Sequence, residues 1–174
     1  TQTFPPLFSC VGAIPAWLSF DPLTRTFSGT PLNDHVGTVS IDVIANDGNG
    51  GSVTDTFDIT VANVNDAPTV TAPLSIEVFE DEPQALTGIS FSDLDAGSNA
   101  VTATFSVASG TLSATSGGGV TVGGTSSELT LSGAINDINT FISANNLEFI
   151  TALNSTSDVT LTINISDNGH SGSG

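Results

Sequence analysis

Thr38-Val39-Ser40-Ile41-Asp42-Val43-Ile44-Ala45-Asn46-Asp47-Gly48-Asn49-Gly50-Gly51-Ser52-Val53-Thr54-Asp55-Thr56-Phe57-Asp58-Ile59-Thr60-Val61-Ala62 is the stretch that decides the class of fold. Val39, Ile41 and Val43 alternate with polar residues, a run of Asn, Asp and Gly interrupts, and Val53, Phe57, Ile59 and Val61 resume the alternation. A period of two sends successive side chains to opposite faces of a strand, and Asn-Gly and Asp-Gly supply the positive-φ residues of a tight turn. The stretch therefore predicts a β-hairpin.

The same pattern recurs along the chain: Leu74-Ile76-Val78, Leu86-Ile89-Phe91, Val101-Ala103-Phe105-Val107, Val120-Val122, Leu129-Leu131, Leu147-Phe149 and Val159-Leu161-Ile163-Ile165. Many short strands parted by turns predict antiparallel β-sandwiches. One stretch departs from it. Ile135, Ile138, Phe141 and Ile142 stand at helical spacing after Ser132, which predicts a short amphipathic helix with a Ser cap, covering one end or edge of a sheet. Asn63-Val64-Asn65-Asp66-Ala67-Pro68 follows a finished strand and ends in Pro, so it reads as a linker between residues 1–66 and 67–174. Residues 1–12 carry no clear strand pattern, and residues 167–174 form a turn with no strand after it. The first unit is accordingly expected to be truncated at its start and the second to lack its last strand.

Composition narrows the function classes. Eighteen acids stand against one base, Arg25, for a net charge of −17 over 174 residues. A protein that tracks phosphates needs clustered Lys and Arg, so nucleic acid is excluded as a partner. The absence of Met and the abundance of Ser, Thr and Gly argue against a helical bundle, and a mean hydropathy of +0.22 argues against disorder. No run is long enough to span a membrane, and no signal peptide opens the chain, which reads as a mature or excised segment. Cys10 is alone, so neither an internal disulfide nor a thiolate cluster can form. Carboxylates about 4 Å apart repel by about 1 kcal/mol in water, and with so few cations a divalent metal is one natural relief. An acidic, merely solvated surface is the other.

Further motifs carry a family resemblance. Pro15-Ala16-Trp17-Leu18-Ser19-Phe20-Asp21, then Phe27-Ser28-Gly29-Thr30-Pro31, Val43-Ile44-Ala45-Asn46-Asp47-Gly48 and Asn65-Asp66-Ala67-Pro68 look like the C-terminal two-thirds of a dystroglycan-type cadherin-like domain. The later Glu80-Asp81-Glu82-Pro83, the Asp93-Leu94-Asp95-Ala96-Gly97-Ser98-Asn99-Ala100 loop, the Ile135-Asn136 helix and Ser166-Asp167-Asn168-Gly169 resemble the cadherin-like repeats of large secreted bacterial adhesins. The resemblance implies an all-β chain of two tandem Ig-like, cadherin-like sandwiches with one short helix in the second. It also implies calcium binding and an extracellular, secreted or cell-surface location. Ser28-Gly29-Thr30-Pro31 departs from the acidic motif that cadherins carry late in each repeat.

Strand counting places the acidic loops. Residues 69–79, read as one strand, span about 35 Å and carry Glu80 and Glu82 to the pole far from the linker. Residues 85–92 return, and the last strand rises, so Asp93, Asp95, Asn99 and Asp167 come back beside Asn63, Asn65 and Asp66. In the first unit the same counting turns Asp34 toward the junction and Asp47 away from it. Asp34, the linker residues, the 93–99 loop and Asp167 then offer only oxygen, in the number that calcium takes. One such ion is expected to touch both units. Glu80 and Glu82 form a half-site for a further repeat or a solvated charge run, and Asp47 is read as a turn residue bonding its own backbone.

Other motifs carry less. The loop from Asp47 lacks the closing Glu of an EF-hand, and Gly117-Gly118-Gly119 lacks the Lys of a phosphate loop. His35 and His170 read as loop histidines, and Trp17 and Phe20 as core. No catalytic residues stand out. The function expected from the sequence is that of a calcium-rigidified adhesion and spacer module, not an enzyme. Its partners are neighbouring repeats of the same chain, and polysaccharide or another cell-surface protein, without membrane insertion. The alternative is a carbohydrate-binding module of a secreted polysaccharide-degrading enzyme, with Trp17 on the sugar.

Overall fold

The computed structural model describes residues 6–12 and 14–169. His170 lies outside the described residues. The chain divides into two compact units, the first running to Val64 and the second beginning at Asn65. Asn65 and Asp66, grouped with the first unit in the sequence reading, therefore pack with the second.

In the first unit, β1 (Leu7–Val11), β4 (Gly37–Asn46) and β5 (Ser52–Val61) form one antiparallel sheet in the order β1-β4-β5. A separate hairpin joins β2 (Leu18–Asp21) to β3 (Thr26–Gly29). The β4–β5 ladder is the hairpin of the central stretch, running without a break from Gly37↔Val61 to Asn46↔Ser52. One face is a polar ladder in which Thr38 meets Thr60, Ser40 bonds Asp58, and Thr56 donates to Asp42 at 2.6 Å. The other face packs Phe57 edge-on against Phe27, 5.5 Å between rings, and Phe27 lies 4.7 Å from Phe20. Leu18 and Ile41 are its buried hydrophobic residues among those described. Residues 7–11 correct the reading of the chain's start: they pair with β4 from Leu7↔Asn46 to Val11↔Asp42. Their pattern is faint because Ser9 and Cys10 interrupt the apolar positions, and the partner strand, not the local sequence, makes them a strand.

The second unit has β6 (Thr69–Thr71), β7 (Gln84–Ala85), β8 (Ser90–Ser92), β9 (Ala100–Val107), β10 (Thr111–Ala114), β11 (Thr121–Gly124) and β12 (Glu128–Ala134). After them come α1 (Ile135–Ser143), β13 (Leu147–Ile150) and β14 (Leu161–Ser166). One sheet has the order β11-β12-β9-β14, another β10-β13-β7, and β6 pairs with β8. Both larger sheets feed one core. Val101, Ala103 and Phe105 of β9, Leu131 of β12 and Leu147 of β13 are completely buried in it, with Ile138 of the helix. The helix crosses from the first sheet to the second, and its four apolar residues at helical spacing, Ile135, Ile138, Phe141 and Ile142, are all buried. The chain is thus all-β, of antiparallel Ig-like sandwich character, with one short helix in its second unit.

Three details differ from the sequence reading. The strand expected over residues 69–79 is a ladder only at Thr69–Thr71. Pro73 has no N–H to donate, and beyond it Ile76 and Val78 still pack on the core while Leu74 and Phe79 face solvent. The strand expected over 85–92 is split into β7 and β8 by Gly88, at φ +77°, a conformation glycine adopts without steric cost. The helix has Ala134 at its N-cap with no side-chain cap bond; Ser132 is still inside β12, opposite Thr121 and Thr102.

Candidate metal centre

The acidic loop after β8 is built by its own first carboxylate. Asp93 Oδ1 accepts the backbone N–H of Asp95 at 2.9 Å and of Ala96 at 2.8 Å, which turns the chain sharply. The turn throws Leu94 outward, 71% exposed, and drives Asp95 inward, 2% exposed, beside fully buried Ala96. The Asn99 N–H closes the loop onto the Ala96 carbonyl at 2.9 Å.

Two long-range bonds start from adjacent linker residues, one reaching this loop and the other the turn after β14. The backbone N–H of Asp66 donates to Asp95 Oδ2 at 2.8 Å, and Asn65 Nδ2 donates to Asp167 Oδ2 at 2.6 Å. Asp167 Oδ1 in turn accepts from the Gly169 N–H at 3.0 Å. Strand pairing explains the meeting: Ser166 lies opposite Thr102 near the start of β9, so the residue after β14 emerges where the 93–99 loop enters β9.

The electrostatics of this corner are one-sided. From Asn65 onward the sequence holds twelve Asp and Glu and no Lys or Arg. Asp93 Oδ2 is buried and has no hydrogen-bond partner among the described residues. Buried carboxylates are ordinarily paired with a cation or bound to a metal. Hard oxygen donors without nitrogen or sulfur are the set that calcium takes, so Asp93, Asp95 and Asp167, with Asn65 and Asp66, fit such an ion by chemistry. Among the described residues, however, no three His, Cys, Asp or Glu side chains stand close enough to form a metal cage. The linker instead bonds two of the carboxylates one at a time, Asp95 through the Asp66 N–H and Asp167 through Asn65 Nδ2.

The remaining residues named from the sequence divide between the two units. Asn99 contributes its backbone to the turn, and its side chain is exposed. Glu80 and Glu82 are exposed and flank Asp81, whose N–H donates to Thr151 Oγ1 at 2.9 Å and whose Oδ1 accepts from the Asn154 N–H at 2.9 Å. Thr151 follows β13, whose Ile150 pairs with Thr111 at the start of β10, so this loop belongs to the pole where β9 ends. In the first unit, Asp34 is exposed on a single 3-10 turn (Asn33–His35), and Asn63 follows β5 half-buried. Asp47 serves its own turn. Its Oδ1 accepts from the N–H groups of Asn49 at 2.8 Å and Gly51 at 2.9 Å, and these bonds hold its carboxyl below the ordinary aspartate value.

Two residues prove structural: His35, read from the sequence as a loop histidine, and Asn139, which that reading did not single out. His35 Nδ1 accepts the Leu32 N–H at 2.8 Å while its ring packs 5.9 Å from half-buried Trp17. Asn139 on α1 reads β8 like a neighbouring strand: its Oδ1 accepts the Phe91 N–H and its Nδ2 donates to the Phe91 carbonyl, both at 2.9 Å. A polar residue beside Ile138 was the only available signal.

The family model He_PIG, described as "Putative Ig domain", matches residues 2–62. Among solved structures, the chain is similar to the protocadherin gammaB7 EC3-6 cis-dimer structure, at 22% identity and a TM-score of 0.41, over 74% of this chain and 31% of that one. It is also similar to an endo-fucoidan hydrolase from glycoside hydrolase family 107, at 17% identity and a TM-score of 0.27, over 92% of this chain and 25% of that one. The chain spans less than a third of the length of either. No curated protein matches it. The match of residues 2–62 supports an Ig-like domain in the first unit.

Proposed function

We propose that this chain is a non-catalytic spacer and adhesion module of a larger secreted or cell-surface bacterial protein, stiffened by calcium at the start of its second unit. The observation that carries the reading is Asp95, a carboxylate 2% exposed in a unit without Lys or Arg, bonded to the backbone of the segment that leaves the first unit. Asp93, Asp95 and Asp167 would hold the ion, with Asn65 and Asp66 contributing from the linker. Calcium bound there supplies positive charge to carboxylates that otherwise repel. The protein's part is to hold the loop in its turn through Asp93 and to tie the linker to Asp95 and Asp167. Fixing the linker makes tandem repeats stiffer, which suits a part that extends from a surface. Among the described residues no helix is long and apolar enough to cross a membrane.

Calorimetric titration of the purified chain with calcium, repeated on Asp95→Asn, tests the reading. Saturable binding to the parent chain that the variant loses supports it. Equal heats from both proteins, or none from either, overturn it.

A further inference from the structure

The sequence contains two Asn-Gly pairs, Asn49-Gly50 and Asn168-Gly169, and one Asp-Gly pair, Asp47-Gly48. Asn before Gly is prone to a self-reaction, because glycine has no Cβ to shield its backbone nitrogen. That nitrogen attacks the asparagine side-chain carbonyl carbon. A new C–N bond closes a succinimide, and the side-chain nitrogen leaves with the displaced amide proton as ammonia. Water then opens either carbonyl of the ring, leaving aspartate or isoaspartate.

The structure gives the three pairs different surroundings. At Asn168, Nδ2 is held by the Ala100 carbonyl at 2.9 Å and Thr102 Oγ1 at 3.3 Å, and the Gly169 N–H, the group that must attack, donates to Asp167 Oδ1 at 3.0 Å. At Asp47 the side chain is a carboxylate engaged by the Asn49 and Gly51 N–H groups, and an ionised carboxylate resists attack by an amide. At Asn49 the side chain has one long bond, 3.2 Å from Nδ2 to the Asp47 carbonyl, and the Gly50 N–H has no hydrogen-bond partner among the described residues. Open space surrounds Gly50, and Asn49 is exposed. Space does not separate the pairs, since Gly169 is open too; hydrogen bonding does.

We infer that Asn49 is a site of spontaneous deamidation in the folded protein, and that the fold protects Asn168. This goes beyond the calcium-module reading and does not depend on it. The product adds one negative charge at the hairpin tip. The β4–β5 ladder closes at Asn46↔Ser52, before the reacting pair, so the fold tolerates the change.

The test is peptide mapping by mass spectrometry after incubating the intact chain at 37 °C and mildly alkaline pH, in buffer and in concentrated urea. In buffer, the Asn49 peptide is expected to gain about one dalton and to include isoaspartate, at least about tenfold faster than the Asn168 peptide, as several hydrogen bonds must open at the second site. In urea the two rates should converge. Asn49→Gln should remove the acidic species that accumulates in buffer while leaving the melting temperature unchanged. Equal rates at both sites in buffer, a faster Asn168, or a persistent acidic species in Asn49→Gln would overturn the inference.

Discussion

The backbone N–H of Asp66 donates to Oδ2 of Asp95 at 2.8 Å, so a carboxylate 2% exposed is bonded to the first segment of the unit that contains it. The bond joins residues separated by 29 positions and makes the linker part of the acidic corner. Burying a carboxylate favours partners that hold it, and the Asp66 N–H is one of them.

Calcium should therefore raise the thermal stability of the chain. At a hundredfold excess over Kd, an ion that binds only the folded state contributes about 2.7 kcal/mol, enough to move the melting temperature by several degrees. Differential scanning calorimetry with calcium and with chelator is the measurement. Superimposable melting curves would count against the site.

Asp95→Asn should act with opposite sign in the two conditions. Without calcium it should leave stability unchanged or raise it by about 1 kcal/mol, because a neutral amide can accept the Asp66 N–H without the cost of a buried charge. With calcium it should abolish most of the ion's stabilisation. Asp47→Ala should leave calcium affinity nearly unchanged, since that carboxylate is engaged in its own turn. Calcium titrations in which Asp47→Ala is the worse binder would contradict the assignment.

Asn139→Ala should cost about 1–3 kcal/mol, more than a surface substitution, because it leaves the N–H and carbonyl of Phe91 without the partner that α1 supplies. Phe105→Ala, at a fully buried position, should cost about 3–5 kcal/mol. Urea denaturation of both variants gives these numbers. An Asn139→Ala midpoint matching the parent would show that the pair is dispensable.

Hairpin-tip order should depend on acid pH through Asp47. The N–H groups of Asn49 and Gly51 hold its folded pKa below the ordinary 3.8, so the carboxylate favours the folded turn. That contribution is fully present above the unfolded pKa and is lost as pH falls through the lower, folded one. Amide hydrogen exchange at Asn49 and Gly51, followed from neutral pH into acid and corrected for intrinsic rates, should report loss of protection below about pH 4. Asp47→Asn should show no such transition.

Much of the fold is legible locally because its signals are short-range. Period two with an Asn/Gly interruption specifies the β4–β5 hairpin, and Ile135, Ile138, Phe141 and Ile142 specify a helix whichever sheet it covers. β10 was not legible, since Leu112 is the one large apolar residue of its four and small Ala114 adds little to the pattern. Pairing with β13 from Thr111↔Ile150 to Ala114↔Leu147 makes it a strand.

The sequence by itself determined the all-β class, the hairpin, the helix, the excess of acid over base and the turn that Asp47 makes with its own backbone. Each depends on residues a few positions apart, and covalent geometry limits what those can do. Tertiary structure alone decided that Ile76 and Val78 pack on the core without a ladder and that β8 borrows a hydrogen-bonding partner from Asn139. It also decided that Asp95 is buried, and that the Asn65 side chain and the Asp66 N–H bond Asp167 and Asp95. Those outcomes depend on which backbone groups find partners far along the chain, and a pattern of apolar residues carries no record of that.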